Sequence, residues 1–182
     1  MAWTTTNPTT VGAINTKENH DKLWDNVDYF KIEHTTDGTH KLSISKTPAA
    51  DAWSGFTVSI VAHEQMALGS LCFINSDGEA ALADVDAQAT MPGIVMATAA
   101  TSADTTGIFL VCGGVIHLHT LAPGWTKGSL VYAGSGATSA HTAGAISQGI
   151  PTGSGDQVQI VGVALDTDIL LFQPNLILVE VA

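Results

Sequence analysis

Gly69-Ser70-Leu71-Cys72-Phe73, Gly93-Ile94-Val95-Met96-Ala97 and Ile108-Phe109-Leu110-Val111 are the stretches that decide the fold. The same order of elements returns as Gly128-Ser129-Leu130-Val131-Tyr132, Gly162-Val163-Ala164 and Ile169-Leu170-Leu171-Phe172. Each is a short apolar run bounded by Gly, Ser, Asp or Thr. Such runs are too brief for helices and rich in the side chains that favour a pleated, buried surface. An ordered recurrence of three elements is the signature of an internal duplication. The second copy differs mainly by a longer loop before Gly162. The reading is a mainly β body over 51–182, barrel- or sandwich-like, built from two similar halves.

Between these runs the text is strand and turn. Val58, Ile60 and Ala62 alternate with Thr57, Ser59 and Val61, as a strand requires. Asn75-Ser76-Asp77-Gly78 is a strong turn signal, and Gly113-Gly114 predicts a hairpin joining Ile108–Val111 to Val115–Leu118. Ala80 to Ala89 reads as loop or weak helix. Gln173-Pro174-Asn175 turns between the last two apolar runs.

The first quarter is different. Residues 1–13, rich in Thr, Asn, Pro and Gly, read as an extended arm. Over 15–33, Asn15 can cap and Glu18 falls where a capping box places it. Leu23, Val27 and Phe30, widened by Trp24, then form one apolar face of a helix. A helix of this length is marginal alone in water, so its stripe must be buried. Packing on the chain's own β body and docking on a partner or on sister subunits both satisfy that need. The turn signal Asp37-Gly38 and a short alternating strand Leu42–Lys46 follow, and a boundary near residue 50 separates a 1–50 anchor from the body.

The 182 residues include 17 Asp or Glu, six Lys and no Arg, for a net charge of −11. Five of the Lys precede residue 47, and beyond it Lys127 alone is basic. Phosphate contacts need Lys or Arg, so the body is excluded as a nucleic-acid surface. No apolar run reaches the ~20 residues of a membrane-spanning helix, and the N-terminus lacks the pattern of a signal peptide. The expectation is a soluble chain made in a cytoplasm, with Cys72 and Cys112 as reduced, buried thiols.

Little in the sequence carries chemistry. Ser154 lies in Gly153-Ser154-Gly155 beside Asp156, without the strand-turn-helix context of a nucleophile elbow. Asp84 with Asp86, and Asp166 with Asp168, lack the Gly-punctuated loop of a Ca²⁺ site and read as solvated surface. His117 and His119, at i and i+2 of a strand, point to one face and can reach one ion. A third protein ligand is missing from the local sequence, so these two read as facing solvent or a subunit contact, with a metal-dependent hydrolase as the alternative. His34 and His40 are weaker candidates still. Trp53 and Trp125 can stack on sugars, though closing a core is the commoner use of Trp at strand ends. The expectation is therefore no enzyme, no metal and no cofactor.

Two stretches carry a resemblance. Trp3-Thr4-Thr5, Val11-Gly12-Ala13-Ile14-Asn15 and Leu23-Trp24-Asp25-Asn26-Val27 resemble the N-terminal segment of tailed-bacteriophage virion proteins. Gly128-Ser129-Leu130-Val131-Tyr132, Gln157-Val158-Gln159-Ile160-Val161-Gly162-Val163-Ala164 and Leu171-Phe172-Gln173-Pro174-Asn175 are similar to modules of head-fibre, capsid-decoration and tail-fibre proteins. The resemblance covers about half the chain. It implies a virion structural protein, often trimeric, of the capsid-decoration or head-fibre type. Trp3, Leu23, Trp24, Val27 and Phe30 would then bind the major capsid protein or other virion subunits. A tail-fibre or baseplate protein that binds a host glycan is the alternative within that family.

Overall fold

The computed structural model describes residues 33–34, 40–41, 44–86, 91–136 and 141–182. The chain divides into two compact units, Met1–Ser43 and Ile44–Ala182. In the first, β1 (Glu33–His34) and β2 (His40–Lys41) pair antiparallel, with Glu33 opposite Lys41. The helix expected over 15–33 lies outside the described residues except at Glu33, which is in a strand. No helix occurs among the described residues, and at Glu33 the expected helix is corrected to strand. Ladder pairing gives this backbone partners that an isolated helix end lacks. The expected strand over Leu42–Lys46 is also absent where described, since 44–46 are irregular.

The second unit is all strand and turn. Its strands are β3 (Trp53–Ser54), β4 (Thr57–Val61), β5 (Leu71–Ile74), β6 (Ala80–Leu82), β7 (Val95–Ala97), β8 (Thr106–Leu110) and β9 (Gly114–His117). They continue with β10 (Leu130–Ala133), β11 (Ile146–Ser147), β12 (Gln157–Val158), β13 (Ile160–Ala164), β14 (Ile169–Phe172) and β15 (Val179–Glu180). One sheet has the order β4-β8-β7-β5-β6, a second β11-β10-β13-β14-β9-β3, and β12 pairs with β15 alone. All three are open. The barrel-like body expected from the sequence is not formed: the edge strands of each sheet do not bond to one another.

The reason lies in the doubled unit. Each copy builds its own sheet rather than half of a common wall. β4, β5, β6, β7 and β8 take the order β4-β8-β7-β5-β6, and β9, β10, β11, β13 and β14 take the matching order β9-β14-β13-β10-β11. The hydrogen bonds repeat as well. Gly69 N–H donates to Ala97 O, and Gly128 N–H to Ala164 O, each at 2.8 Å. Ala97 N–H returns to Ser70 O at 2.9 Å, and Ala164 N–H to Ser129 O at 3.0 Å. Both glycines adopt a positive φ, 78° and 77°, that L side chains rarely tolerate. This register equates Val95 with Gly162, so the sequence match of Gly93 to Gly162 is displaced by two residues.

The inner strands β5 and β7 of the first sheet are buried on both faces, which a one-faced barrel wall would not be. Leu71, Met96 and Leu110 join Ile116, Val131, Val161, Leu170 and Phe172 in the larger core between the sheets. Cys72, Val95, Ala97 and Phe109, the alternate positions of the same strands, fill a second core with Ala62 and Met66. Period-two alternation thus delivers apolar groups to two cores at once, giving continuous apolar runs. The hairpin expected at Gly113-Gly114 is instead the crossing from one sheet to the other. β9 pairs with β14 and β3, not with β8. At Gly114 a Cβ would come within 2.5 Å of the Leu110 side chain, so the crossing needs glycine there.

Candidate metal centre

β9 and β14 run antiparallel with Ile169 opposite His117. The chain continues past β9 through Leu118, whose N–H donates to Asp168 O at 2.7 Å. Leu118 is buried in the core between the sheets, so its neighbours His117 and His119 project together on the opposite side. Their rings meet edge-on with centroids 5.6 Å apart. Asp168, immediately before β14, supplies the third group. Its Oδ2 lies 3.1 Å from His117 Nε2 and 3.4 Å from His119 Nδ1. All three ligand atoms lie within 4.8 Å of one another. The His117 and Asp168 side chains are 17% and 21% exposed, and His119 is 65% exposed, so one side of the cluster is open to solvent.

The His117 ring is held in one tautomer. Its Nδ1 lies 3.0 Å from the carbonyl oxygen of Pro48, which can only accept, so Nδ1 carries a hydrogen. In the neutral ring Nε2 is then a lone pair aimed at a carboxylate oxygen. Two acceptors at that distance need a cation between them, either a proton or a metal. With a proton there, the Pro48 hydrogen bond, aided by Asp168, raises the His117 pKa above its ordinary value.

A second cluster, Asp86, His141 and Asp156, also has ligand atoms within 4.8 Å of one another. It is buried: the His141 side chain is fully enclosed and Asp156 is 4% exposed. Here the tautomer is the reverse. The backbone N–H of Ser135 donates to His141 Nδ1 at 3.2 Å, so Nε2 carries the hydrogen and gives it to Asp156 Oδ2 at 3.3 Å. Gly153 N–H donates to the same oxygen at 2.7 Å, and Asp86 Oδ1 accepts the His141 backbone N–H at 3.1 Å. The Ser135 bond occupies the lone pair a metal would need at His141. The second cluster is a hydrogen-bonded clasp, and the first is the better ligand set.

The expectation of no enzyme and no metal is corrected by the His117, His119 and Asp168 cluster, whose geometry is consistent with a metal-binding or active site. Period-two spacing placed His117 and His119 correctly on one face. Asp168 was missed because it is distant in sequence and reaches the histidines through β9–β14 pairing. Its near neighbour Asp166 takes a different role, pairing with Lys127 at 2.8 Å, which holds its carboxyl below the usual range. Trp125 is 5% exposed and packs in the core, lining an apolar groove of about 510 Å³ with Leu118 and Leu121. Trp53 is 37% exposed on β3. Cys72 is buried, which pushes its thiol up to about 12, whereas Cys112 is exposed rather than buried. Trp3, Leu23, Trp24, Val27 and Phe30, the expected partner-binding residues, lie outside the described residues.

The repeat sharpens the comparison between ligand and scaffold. Thr98 N–H bonds Ile108 O as Leu165 N–H bonds Ile169 O, so Ile108 and Ile169 are equivalent. Ser59 lies opposite Ile108 as His117 lies opposite Ile169. In the first sheet the positions of His117, His119 and Asp168 are therefore held by Ser59, Val61 and Gly107. The shared framework does not need the two histidines and the aspartate. No protein-family model, curated protein or solved structure matches the chain.

Proposed function

We propose that the protein binds a divalent transition metal of the zinc type through His117 Nε2, His119 Nδ1 and Asp168 Oδ2. The observation that carries this is the pair of edges, 3.1 and 3.4 Å, with which the two ring nitrogens approach one carboxylate oxygen. Tetrahedral bonds of ~2.0–2.1 Å give ligand–ligand edges of ~3.3 Å. The Pro48 carbonyl acts on His117 as an outer-shell acceptor, leaving Nε2 free to bind. Three protein ligands with an open side are the arrangement of a catalytic rather than a structural zinc centre, in which the fourth position holds water. Such a centre lowers the pKa of its bound water and supports hydrolysis. The acidic body favours neutral or cationic substrates over phosphoesters.

Elemental analysis after equilibration with Zn²⁺ and dialysis tests the reading, with the variant His117→Ser/His119→Val alongside. These substitutions install the residues that the first sheet carries at the same positions. One metal per wild-type chain and none in the folded variant is the expected result. No stoichiometric metal in the wild type, or equal metal in both, overturns it.

A further inference from the structure

We propose that Asp51 is a positioning residue of this metal centre, holding through Thr120 the turn that presents His119. The inference rests on the metal reading above. His119 is the most exposed of the three ligands and lies beyond the end of β9, where no ladder fixes it. Its turn is closed by Ala122 N–H, shared between Leu118 O at 3.2 Å and His119 O at 3.1 Å. What orients that turn against the sheet is Asp51. One carboxylate oxygen accepts the Thr120 N–H at 2.8 Å, and the other accepts the Thr120 hydroxyl.

Asp51 belongs to a segment, Pro48 to Ala52, that also grips His117. Pro48 O accepts the His117 ring N–H, and Ala52 O accepts the His117 backbone N–H at 2.9 Å. The segment then becomes β3, which pairs with β9 at Trp53–Ile116 and Ser54–Val115. Asp51 sits at φ 53°, a conformation that non-glycine residues other than Asp and Asn adopt reluctantly. In the first sheet the equivalent strand β4 is an edge, with no counterpart of β3 beside it. The strap and the ligands are thus both features of the second half alone. A carboxylate in a left-handed backbone position, spending both oxygens on the residue after a ligand, fits an outer-shell support.

Cobalt(II) titration of the full chain, followed by its visible d–d bands, tests the proposal in the wild type, Asp51→Ala, Asp51→Asn and Thr120→Val. Asn tolerates the same backbone conformation and can both accept from the Thr120 N–H and donate to its hydroxyl. Asp51→Ala is expected to weaken cobalt binding about 10- to 100-fold and to alter the band shape. Asp51→Asn is expected to stay within about threefold of wild type, with Thr120→Val between. Wild-type affinity in Asp51→Ala overturns the proposal. So does an Asp51→Asn as weak as Asp51→Ala, since charge rather than position would then be at work. Should Asp51→Ala fail to fold, unchanged affinity in Thr120→Val overturns it. A wild type that binds no cobalt removes the metal reading itself, and this inference with it.

Discussion

At the scale of single residues, the identity of a hydrogen-bond partner decides what a histidine can do. His117 and His141 each have carboxylate neighbours, yet a carbonyl at Nδ1 of one and an amide N–H at Nδ1 of the other give them opposite tautomers. A third histidine, His63, is half-exposed and bonds Glu79 Oε2 at 2.9 Å. This bond raises the His63 pKa above 6.5 and, with a smaller part from Asn75, lowers that of Glu79 below 4.5. The raised His63 contributes stability below its unfolded value, lost as pH rises through the folded one. The lowered Glu79 contributes above its unfolded value, lost as pH falls through the folded one. The pair therefore acts fully between about pH 4.5 and 6.5. NMR titration should place the His63 midpoint above 6.5 and return it to the ordinary range in Glu79→Gln. A midpoint unmoved by that substitution would show that the contact is not made in solution.

At the scale of elements, glycine placement sets how the strands of the second sheet approach. Gly162 in β13 faces Phe172 in β14, and a Cβ there would lie 2.1 Å from the Leu171 carbonyl oxygen. Backbone cannot swing aside as a side chain can. Gly162→Ala should cost about 1–3 kcal/mol by overpacking, read as a lowered midpoint in urea unfolding, and a midpoint unchanged from wild type would contradict the geometry. Its counterpart Val95 carries a full side chain into the smaller core, so the matching position in the first sheet has no such restriction. Strands β5, β7, β8, β10, β13 and β14 were all legible as apolar runs, because each buries at least half of its length. β12 and β15, two residues each, were not separable from their surroundings. Nor was β3, whose pairing with β9 depends on where the preceding strap lies.

At the scale of the whole second unit, one buried side chain ties distant segments together. Gln159 is 1% exposed. Its Oε1 accepts Gly93 N–H at 2.9 Å, and its Nε2 donates to Gly93 O at 2.8 Å and Asn175 O at 2.7 Å. Gln159→Ala strips partners from these buried backbone groups and should destabilise by about 2–4 kcal/mol in denaturant unfolding; a loss under about 0.5 kcal/mol would mean that water replaces the side chain. Metal should act in the opposite direction. At a free concentration 100 times Kd, zinc should add about 2.7 kcal/mol to the unfolding free energy, by binding the folded state alone. That gain should vanish in His117→Ser/His119→Val, and a thermal midpoint indifferent to zinc in the wild type would contradict the proposed centre.

By itself the sequence determined that the body is β, that its elements recur in order, that it is acidic, and that His117 and His119 share a face. Each follows from local information: period-two alternation, glycine and turn residues, and charge count. The tertiary structure alone decided that the two copies form two open sheets rather than one barrel. Whether edge strands meet is a matter of global register, which a run of six residues does not encode. It likewise decided which aspartate joins the histidines. Asp166 and Asp168 look alike in the text, but the β9–β14 ladder brings Asp168 to His117 and leaves Asp166 to Lys127. A residue cluster assembled from non-local pairing becomes visible when the chain has folded.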